Sequence, residues 1–221
     1  MMLRGLCAYI IFAIGLLLPA DIFAAADGSS VVILFSNGKV GHIAMLVSGE
    51  EGKFTFYSIN GNNIYLSPGW FQGGWYIGNS KHNDLGVGSW DTPADFMRSP
   101  FNADGPSSDT TISCCRYTDA YLIPTTAEQN DVIVECFRRM SSERYNLLKN
   151  NCATACIRSL WTAGINTEPA SDAVPPAGLP EIDALQSLLD YLARFTGSYD
   201  LPYTAFRDIV TANPQGRFVD F

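Results

Sequence analysis

Three short apolar runs follow one another early in the chain, with glycine-containing turns between them. They are Val31–Phe35, Gly41–Val47 and Lys53–Asn60. The intervening sequences, Ser-Asn-Gly and Ser-Gly-Glu-Glu-Gly, favour tight reversals of the backbone. Runs of this length joined by short glycine turns predict three strands of an antiparallel meander.

The apolar pattern changes from strand to helix in the second half of the chain. After a further predicted strand at Arg116–Ile123, apolar residues in Thr126–Met140 recur at helical spacing. Asn151 is a typical N-cap for a helix over Cys152–Ala163, and another amphipathic helix is predicted over Pro180–Phe195. Strands followed by helices predict an α+β fold in which a small antiparallel sheet packs on the helix that begins at Cys152.

The segment 61–113 lies between these two halves and shows little periodicity. A segment of this length inside a compact domain usually carries function or structure that the pattern does not reveal. Its aromatic residues either pack the segment onto the domain or form an exposed platform for a sugar or a peptide. These aromatic residues are Trp70, Phe71, Trp75, Tyr76 and Trp90.

The N-terminal segment has the pattern of an export signal. Arg4 supplies a positive charge, Leu6–Leu18 is apolar, and Ala24–Ala26 is a small-residue cleavage site. We therefore expect residues 1–26 to be a signal peptide and residues 27–221 to form one domain in the periplasm or outside the cell. A membrane anchor is the alternative, but the apolar stretch is short for one. No later run approaches the roughly 18 apolar residues of a span, so no stable membrane insertion is expected after cleavage.

Charge and metal-ligand counts narrow the classes of partner. Lys and Arg number 14 against 22 Asp and Glu, which gives a net charge of −8. A nucleic-acid partner is not expected, because binding to phosphate needs a basic face. With only two histidines and no cysteine spacing typical of zinc sites, no metal and no cofactor are expected. In an oxidising compartment, the five cysteines that follow Cys7 would leave at least one thiol unpaired.

Cys152 is the candidate nucleophile. It follows the predicted N-cap Asn151, so its sulfur would face the unpaired N–H groups and the positive end of a helix, which lowers the pKa of a thiol. The same N–H groups can hold a developing oxyanion. Cys156 lies one turn deeper and has neither advantage. The alternative is that Cys152 is a structural or disulfide-bonded cysteine.

His42 is the better of two candidate bases. His82 lies in a polar loop sequence typical of surface residues, whereas His42 opens an apolar strand, where burial needs a compensating partner. An imidazole held on a strand against a helix-borne thiol suits general-base catalysis. The residue that orients this imidazole is expected on the next strand, where Ser58 and Asn60 lie two apart and share a face. Both residues are candidates for the orienting group, and the alternative for each is that it is only a turn residue.

These segments resemble a known enzyme family. The strands GHIAMLV and KFTFYSIN, followed later by YNLLKNNCATACIRSLWTAGI, resemble the circularly permuted papain-like cysteine hydrolases, in which the histidine strand precedes the cysteine helix. That order is the reverse of papain and of the NlpC-type cell-wall peptidases. The resemblance covers residues 41–60 and 145–165. The long loop 61–113 and the C-terminal region 166–221, expected as a helical extension, have no evident counterpart in the family.

The resemblance implies a papain-like α+β fold of the permuted NlpC type and assigns roles within it. Cys152 would be the nucleophile, His42 the base, and Ser58 or Asn60 the orienting group. Members of this group include bacterial cell-wall amidases and endopeptidases, toxins delivered by type VI secretion, and the lecithin:retinol acyltransferase group.

The function expected from this resemblance is hydrolysis of an amide bond, most readily in peptidoglycan stem peptides. Two alternatives remain open. One is a lipid acyltransferase or lipase that uses the same cysteine and histidine. The other is a non-enzymatic binding module in which Cys152 is tied into a disulfide. An inhibitor protein would be a further partner if the chain is an antibacterial toxin.

Overall fold

The computed structural model describes most of the expected domain. The described residues are 28–37, 41–60, 83–104, 116–143, 145, 150–181 and 201–221. The predicted signal peptide 1–26, the aromatic residues within 70–76, and His82 lie outside them. So does the helix predicted over Pro180–Phe195, apart from its first two residues.

A six-stranded antiparallel sheet forms the centre of the fold, with strand order β4-β3-β2-β1-β5-β6. The strands are β1 (Ser30–Ser36), β2 (His42–Ser48), β3 (Phe54–Ser58), β4 (Asp84–Trp90), β5 (Asp119–Pro124) and β6 (Arg217–Phe218). The meander predicted from the first three apolar runs is confirmed as β1, β2 and β3. The strand predicted over Arg116–Ile123 corresponds to β5.

Five helices accompany the sheet in the described part of the chain, which confirms the α+β class. They are α1 (Pro93–Arg98), α2 (Pro100–Asp104), α3 (Ala127–Ser141), α4 (Cys152–Thr162) and α5 (Pro202–Ala212). The helices predicted over Thr126–Met140 and Cys152–Ala163 are α3 and α4, with ends shifted by one residue. Within the described ranges, no helix combines the length and the apolar character that a bilayer-crossing segment needs.

Between their polar terminal residues, strands β1 and β2 are continuously apolar because both faces of the sheet are covered. Successive residues of a strand point to opposite faces, and each face here has its own core. Ile43 and Met45 of β2 pack with residues of α3, α4 and α5, whereas Ala44 and Leu46 pack with residues of α1 and β3. Burial on both faces explains why the sequence shows continuous apolar runs instead of alternation.

The segment 61–113, expected as a long loop that carries function or hidden structure, contains regular structure over its described residues. Residues 84–104 form β4, α1 and α2, and β4 pairs with β3 at the edge of the sheet. Gly86 and Gly88 have φ values of 69° and 68°, and the β3–β4 register shifts twice. These irregularities break the period-two pattern by which a strand is recognised in a sequence.

Trp90 packs the end of β4 onto the domain. Its ring lies 4.9 Å from that of Phe96 in α1 and 5.4 Å from that of Phe101 in α2. Of the two interpretations of the aromatic residues in this segment, packing is therefore the one that holds for Trp90. The other four aromatic residues lie outside the described part of the chain.

The C-terminal region 166–221 is not purely helical in its described part. Helix α5 packs on the sheet through Phe206, whose ring stacks on Phe35 of β1 at 5.2 Å. After α5, the chain adds the short strand β6, in which Phe218 pairs with Tyr121 of β5. The region therefore completes one edge of the sheet, a role that its polar and proline-rich sequence does not indicate.

Candidate active site

A reciprocal cap fixes the first turn of α4 against the sheet. The side chain of Asn151 accepts a hydrogen bond from the N–H of Thr154 at 2.9 Å, and the Thr154 hydroxyl accepts one from the N–H of Asn151 at 2.9 Å. This capping box starts the helix at Cys152, as the sequence predicts. The thiol is thereby held at the positive end of the helix dipole.

The Cys152 thiol is hydrogen-bonded to the imidazole of His42, the first residue of β2. Both residues are buried, with 5% and 6% of their surface exposed. Burial raises the pKa of Cys152, but the charge and the hydrogen bond of His42 lower it, as do the N–H groups of Ile43 and Ala153. The pKa of this thiol consequently lies below its ordinary value of 9.0. The thiolate, which is the nucleophilic form, is favoured despite burial.

Both predicted orienting residues contact the far side of the imidazole. His42 Nε2 lies 2.7 Å from Asn60 Oδ1 and 3.0 Å from Ser58 Oγ, and the Ser58 hydroxyl donates to Asn60 Oδ1 at 2.9 Å. A carbonyl oxygen only accepts, so Nε2 carries the proton in this arrangement. Nδ1 is then the ring nitrogen that remains available to the Cys152 thiol. Ser58 and Asn60, the two candidates for the orienting residue, therefore belong to one hydrogen-bonded group with His42.

Two residues at the start of β4 extend this group. The main-chain N–H of Asn60 donates to Asn83 Oδ1 at 3.1 Å, and Asn60 Nδ2 donates to Asp84 Oδ2 at 3.0 Å. Asp84 pairs with Ser58 in the β3–β4 register, and this pairing brings it beside Asn60. Neither residue carries a sequence signal, because their placement depends on a strand that the pattern does not reveal.

The ring of Tyr117 packs beside the imidazole, with centroids 6.0 Å apart. Tyr117 is buried and also lies against Phe56 and Phe96. Its main chain is held by Asn102 of α2, which accepts from the Tyr117 N–H at 2.9 Å and donates to its carbonyl at 3.1 Å. An apolar wall of this kind shields the histidine ring from water and strengthens the hydrogen bonds around it.

The cysteines of the described residues are free thiols, namely Cys136, Cys152 and Cys156. Cys156 lies one turn below Cys152 and is fully buried. Burial, together with the nearby charge of Cys152, raises the pKa of Cys156 well above 9.0, so its thiol stays protonated and unreactive. The disulfide at Cys152 that the binding-module alternative requires is not formed.

The site brings together a thiol of lowered pKa, an imidazole and an amide oxygen, and groups of these kinds in this order can perform acyl transfer through a thioester. In the part of the chain that the structure describes, no group of three or more His, Cys, Asp or Glu residues is arranged to hold a metal ion. Comparisons of the chain with models of protein families, with curated proteins and with solved structures find no match.

Proposed function

We propose that this protein is an exported thiol hydrolase that cleaves an amide bond, with peptidoglycan stem peptides as its substrate class. One observation carries the proposal, the buried and hydrogen-bonded pair of Cys152 and His42 with the pKa of Cys152 below its ordinary value. Burial alone would raise the pKa of a thiol, so its lowering requires a dedicated partner. Perturbation of this kind is concentrated at functional sites. A non-enzymatic binding module does not require a thiol of lowered pKa.

The chemistry proceeds in two steps. The Cys152 thiolate attacks the carbonyl carbon of the amide, and main-chain N–H groups at the first turn of α4 stabilise the tetrahedral oxyanion. The His42 imidazolium then donates its Nδ1 proton to the leaving nitrogen, the C–N bond breaks, and a thioester forms on the sulfur. In the second step, His42 takes a proton from water, and the resulting hydroxide attacks the thioester. The acid is released, and Cys152 leaves as the thiolate beside a protonated His42.

We also propose that the architecture is papain-like in the permuted order. His42 lies on β2 and Cys152 follows on α4, which packs against that strand. This is the order that the resemblance of the two segments implies. The contact of the Asn60 amide oxygen with His42 Nε2 supports the same arrangement, because it fixes the ring with Nδ1 toward the sulfur.

The proposed substrate rests on the family resemblance and on the predicted export signal. Peptidoglycan lies outside the cytoplasmic membrane and offers amide bonds in its stem peptides. Both remodelling of the cell's own wall and attack on a competitor's wall fit this substrate. In the second case, an inhibitor protein would protect the producing cell.

Digestion of purified sacculi tests the proposal. The mature protein, Cys152→Ala and Cys156→Ala are each incubated with sacculi, and the masses of the released fragments are determined. We expect the mature protein and Cys156→Ala to release the same fragments, each gaining one water at an amide bond, and Cys152→Ala to release none. Cys156→Ala is the matched control, because it removes the same atom one turn deeper in the same helix.

Two outcomes would contradict the proposal. An active Cys152→Ala protein would exclude the thiol mechanism altogether. Release of fatty acid from phospholipid vesicles, with intact sacculi, would replace the amide substrate by a lipid ester and favour the acyltransferase or lipase alternative.

A further inference from the structure

The orientation of the Asn60 amide decides whether the imidazole is held correctly. An asparagine amide fills almost the same space when its oxygen and nitrogen exchange places, so packing alone does not select one orientation. With Oδ1 toward His42, the amide accepts the Nε2 proton at 2.7 Å. With the NH₂ group there instead, two donors would face each other and the protonated imidazole would be disfavoured.

Asp84 supplies the chemical difference that selects the productive orientation. Its Oδ2 lies 3.0 Å from Asn60 Nδ2. An ionised carboxylate accepts hydrogen bonds and does not donate them, so only the NH₂ end of Asn60 can face it. The Oδ1 end must then face His42. A hydrogen bond to a charged acceptor is also stronger than one between neutral groups.

The neighbouring residue fixes the main chain of Asn60 at the same time. Asn83 Oδ1 accepts the main-chain N–H of Asn60 at 3.1 Å, and Asn83 Nδ2 donates to the carbonyl of Ser141 at the end of α3 at 3.2 Å. Asn60 lies two residues beyond the end of β3, where the hydrogen bonds of the sheet no longer hold the chain. Two consecutive residues therefore secure its backbone and its side chain separately.

We propose that Asp84 is a positioning residue of this site, which selects the orientation of the Asn60 amide and through it holds the His42 imidazole toward Cys152. This inference rests on the proposed function. In this role Asp84 takes no proton in the reaction and acts through the Asn60 amide. Its negative charge polarises the amide, so that Oδ1 becomes a better acceptor for the protonated imidazole.

The test measures how fast iodoacetamide modifies Cys152 between pH 5 and pH 10, with the Cys152 peptide quantified by mass spectrometry. We expect Asp84→Ala to slow modification at pH 6 by about three- to tenfold, because losing a hydrogen bond to a charged group raises the pKa of Cys152 while the more basic thiolate is intrinsically more reactive. The pH midpoint should move upward. Asp84→Asn should retain more of the rate than Asp84→Ala, because its carbonyl can still accept from Asn60. Asp91→Ala is the control, since Asp91 is an exposed carboxylate just beyond the other end of β4.

A double-mutant cycle separates positioning from a general structural role. In an Asn60→Ala background, Asp84→Ala should change the rate by less than about twofold, because its effect runs through the missing amide. Thermal unfolding of each variant confirms that it is folded. An unchanged profile in Asp84→Ala, or a full effect without Asn60, would overturn the inference.

The pH profile of wild-type alkylation distinguishes failure of the proposed function from failure of the role assigned to Asp84. If wild-type Cys152 titrates at or above the ordinary thiol value, the proposed function fails. If its midpoint is lowered but Asp84→Ala behaves like wild type, only the role of Asp84 is refuted.

Discussion

Replacing His42 by alanine should turn Cys152 from a thiolate into an ordinary buried thiol. In the native site, the influences that lower the pKa of Cys152 are the charge and hydrogen bond of His42 and the N–H groups of Ile43 and Ala153. Burial acts in the opposite direction and is the largest single influence. Without the imidazole, burial is opposed only by the two weakest contributions. We therefore expect the pKa of Cys152 to rise from below 9.0 to above it in His42→Ala.

The effect on reactivity follows from the thiolate fraction. At a pH below the pKa, each unit of rise lowers the thiolate fraction about tenfold, while the more basic thiolate is about threefold more reactive. The net loss in alkylation rate is about threefold per unit. Hydrolysis should fall further, by about 10²- to 10⁴-fold, because His42→Ala also removes the general base and acid.

Alkylation of Cys152 across the pH range measures this change directly. The wild-type rate should level off at a lower pH than the His42→Ala rate, because the pKa of Cys152 is lowered mainly by the imidazole. His82→Ala is the matched control, since it removes the only other histidine of the chain. The reasoning is refuted if the wild-type midpoint lies at or above the ordinary value, or if His42→Ala leaves a lowered midpoint in place.

Four further substitutions separate the roles of neighbouring residues. Asn60→Ala should lower kcat for muropeptide release about tenfold or more, and Ser58→Ala should lower it less. The reason is that Asn60 makes the shorter contact with the imidazole, 2.7 Å against 3.0 Å for Ser58. Cys156→Ala should leave the alkylation profile of Cys152 unchanged, because the raised pKa of Cys156 keeps that thiol protonated. Asn130→Ala should lower the free energy of unfolding by about 3 kcal/mol in a denaturant titration without moving that profile, because its buried amide joins α3 to main-chain carbonyls of β1 and β2.

The elements that sequence patterns predict well are those defined by local interactions. The capping box at Asn151 is formed by residues three apart, so its signature is visible in the sequence and α4 starts where expected. The β1–β2–β3 meander is joined by short turns and is equally local. Ser58 and Asn60 are recognisable as partners of His42 because neighbouring strands of a meander must pair.

The features that remain hidden depend on contacts between distant parts of the chain. Asp84 reaches Asn60 only because β4 pairs with β3 in a register set by two irregularities, and glycines mask that strand. Tyr117 precedes β5, and nothing in its local sequence indicates that its ring lies beside His42. Strand β6 is two residues long, too short for any periodicity. Such placements follow from tertiary packing, and the pattern of a single sequence carries no information about it.

The sheet separates two cores, and the hydrogen-bonded pair of Cys152 and His42 is in contact with both of them. Cys152 belongs to the cluster beneath α3, α4 and α5, while the ring of His42 rests on Tyr117 of the other cluster. The pKa of Cys152 is lowered only when the cluster that contains Cys152 and the cluster beside His42 are both formed. An unfolded chain therefore has an ordinary thiol at this position, because it lacks the imidazole and the main-chain N–H groups that lower the pKa of Cys152. The lowered pKa of Cys152 is thus a property of the folded domain, in which both cores have formed.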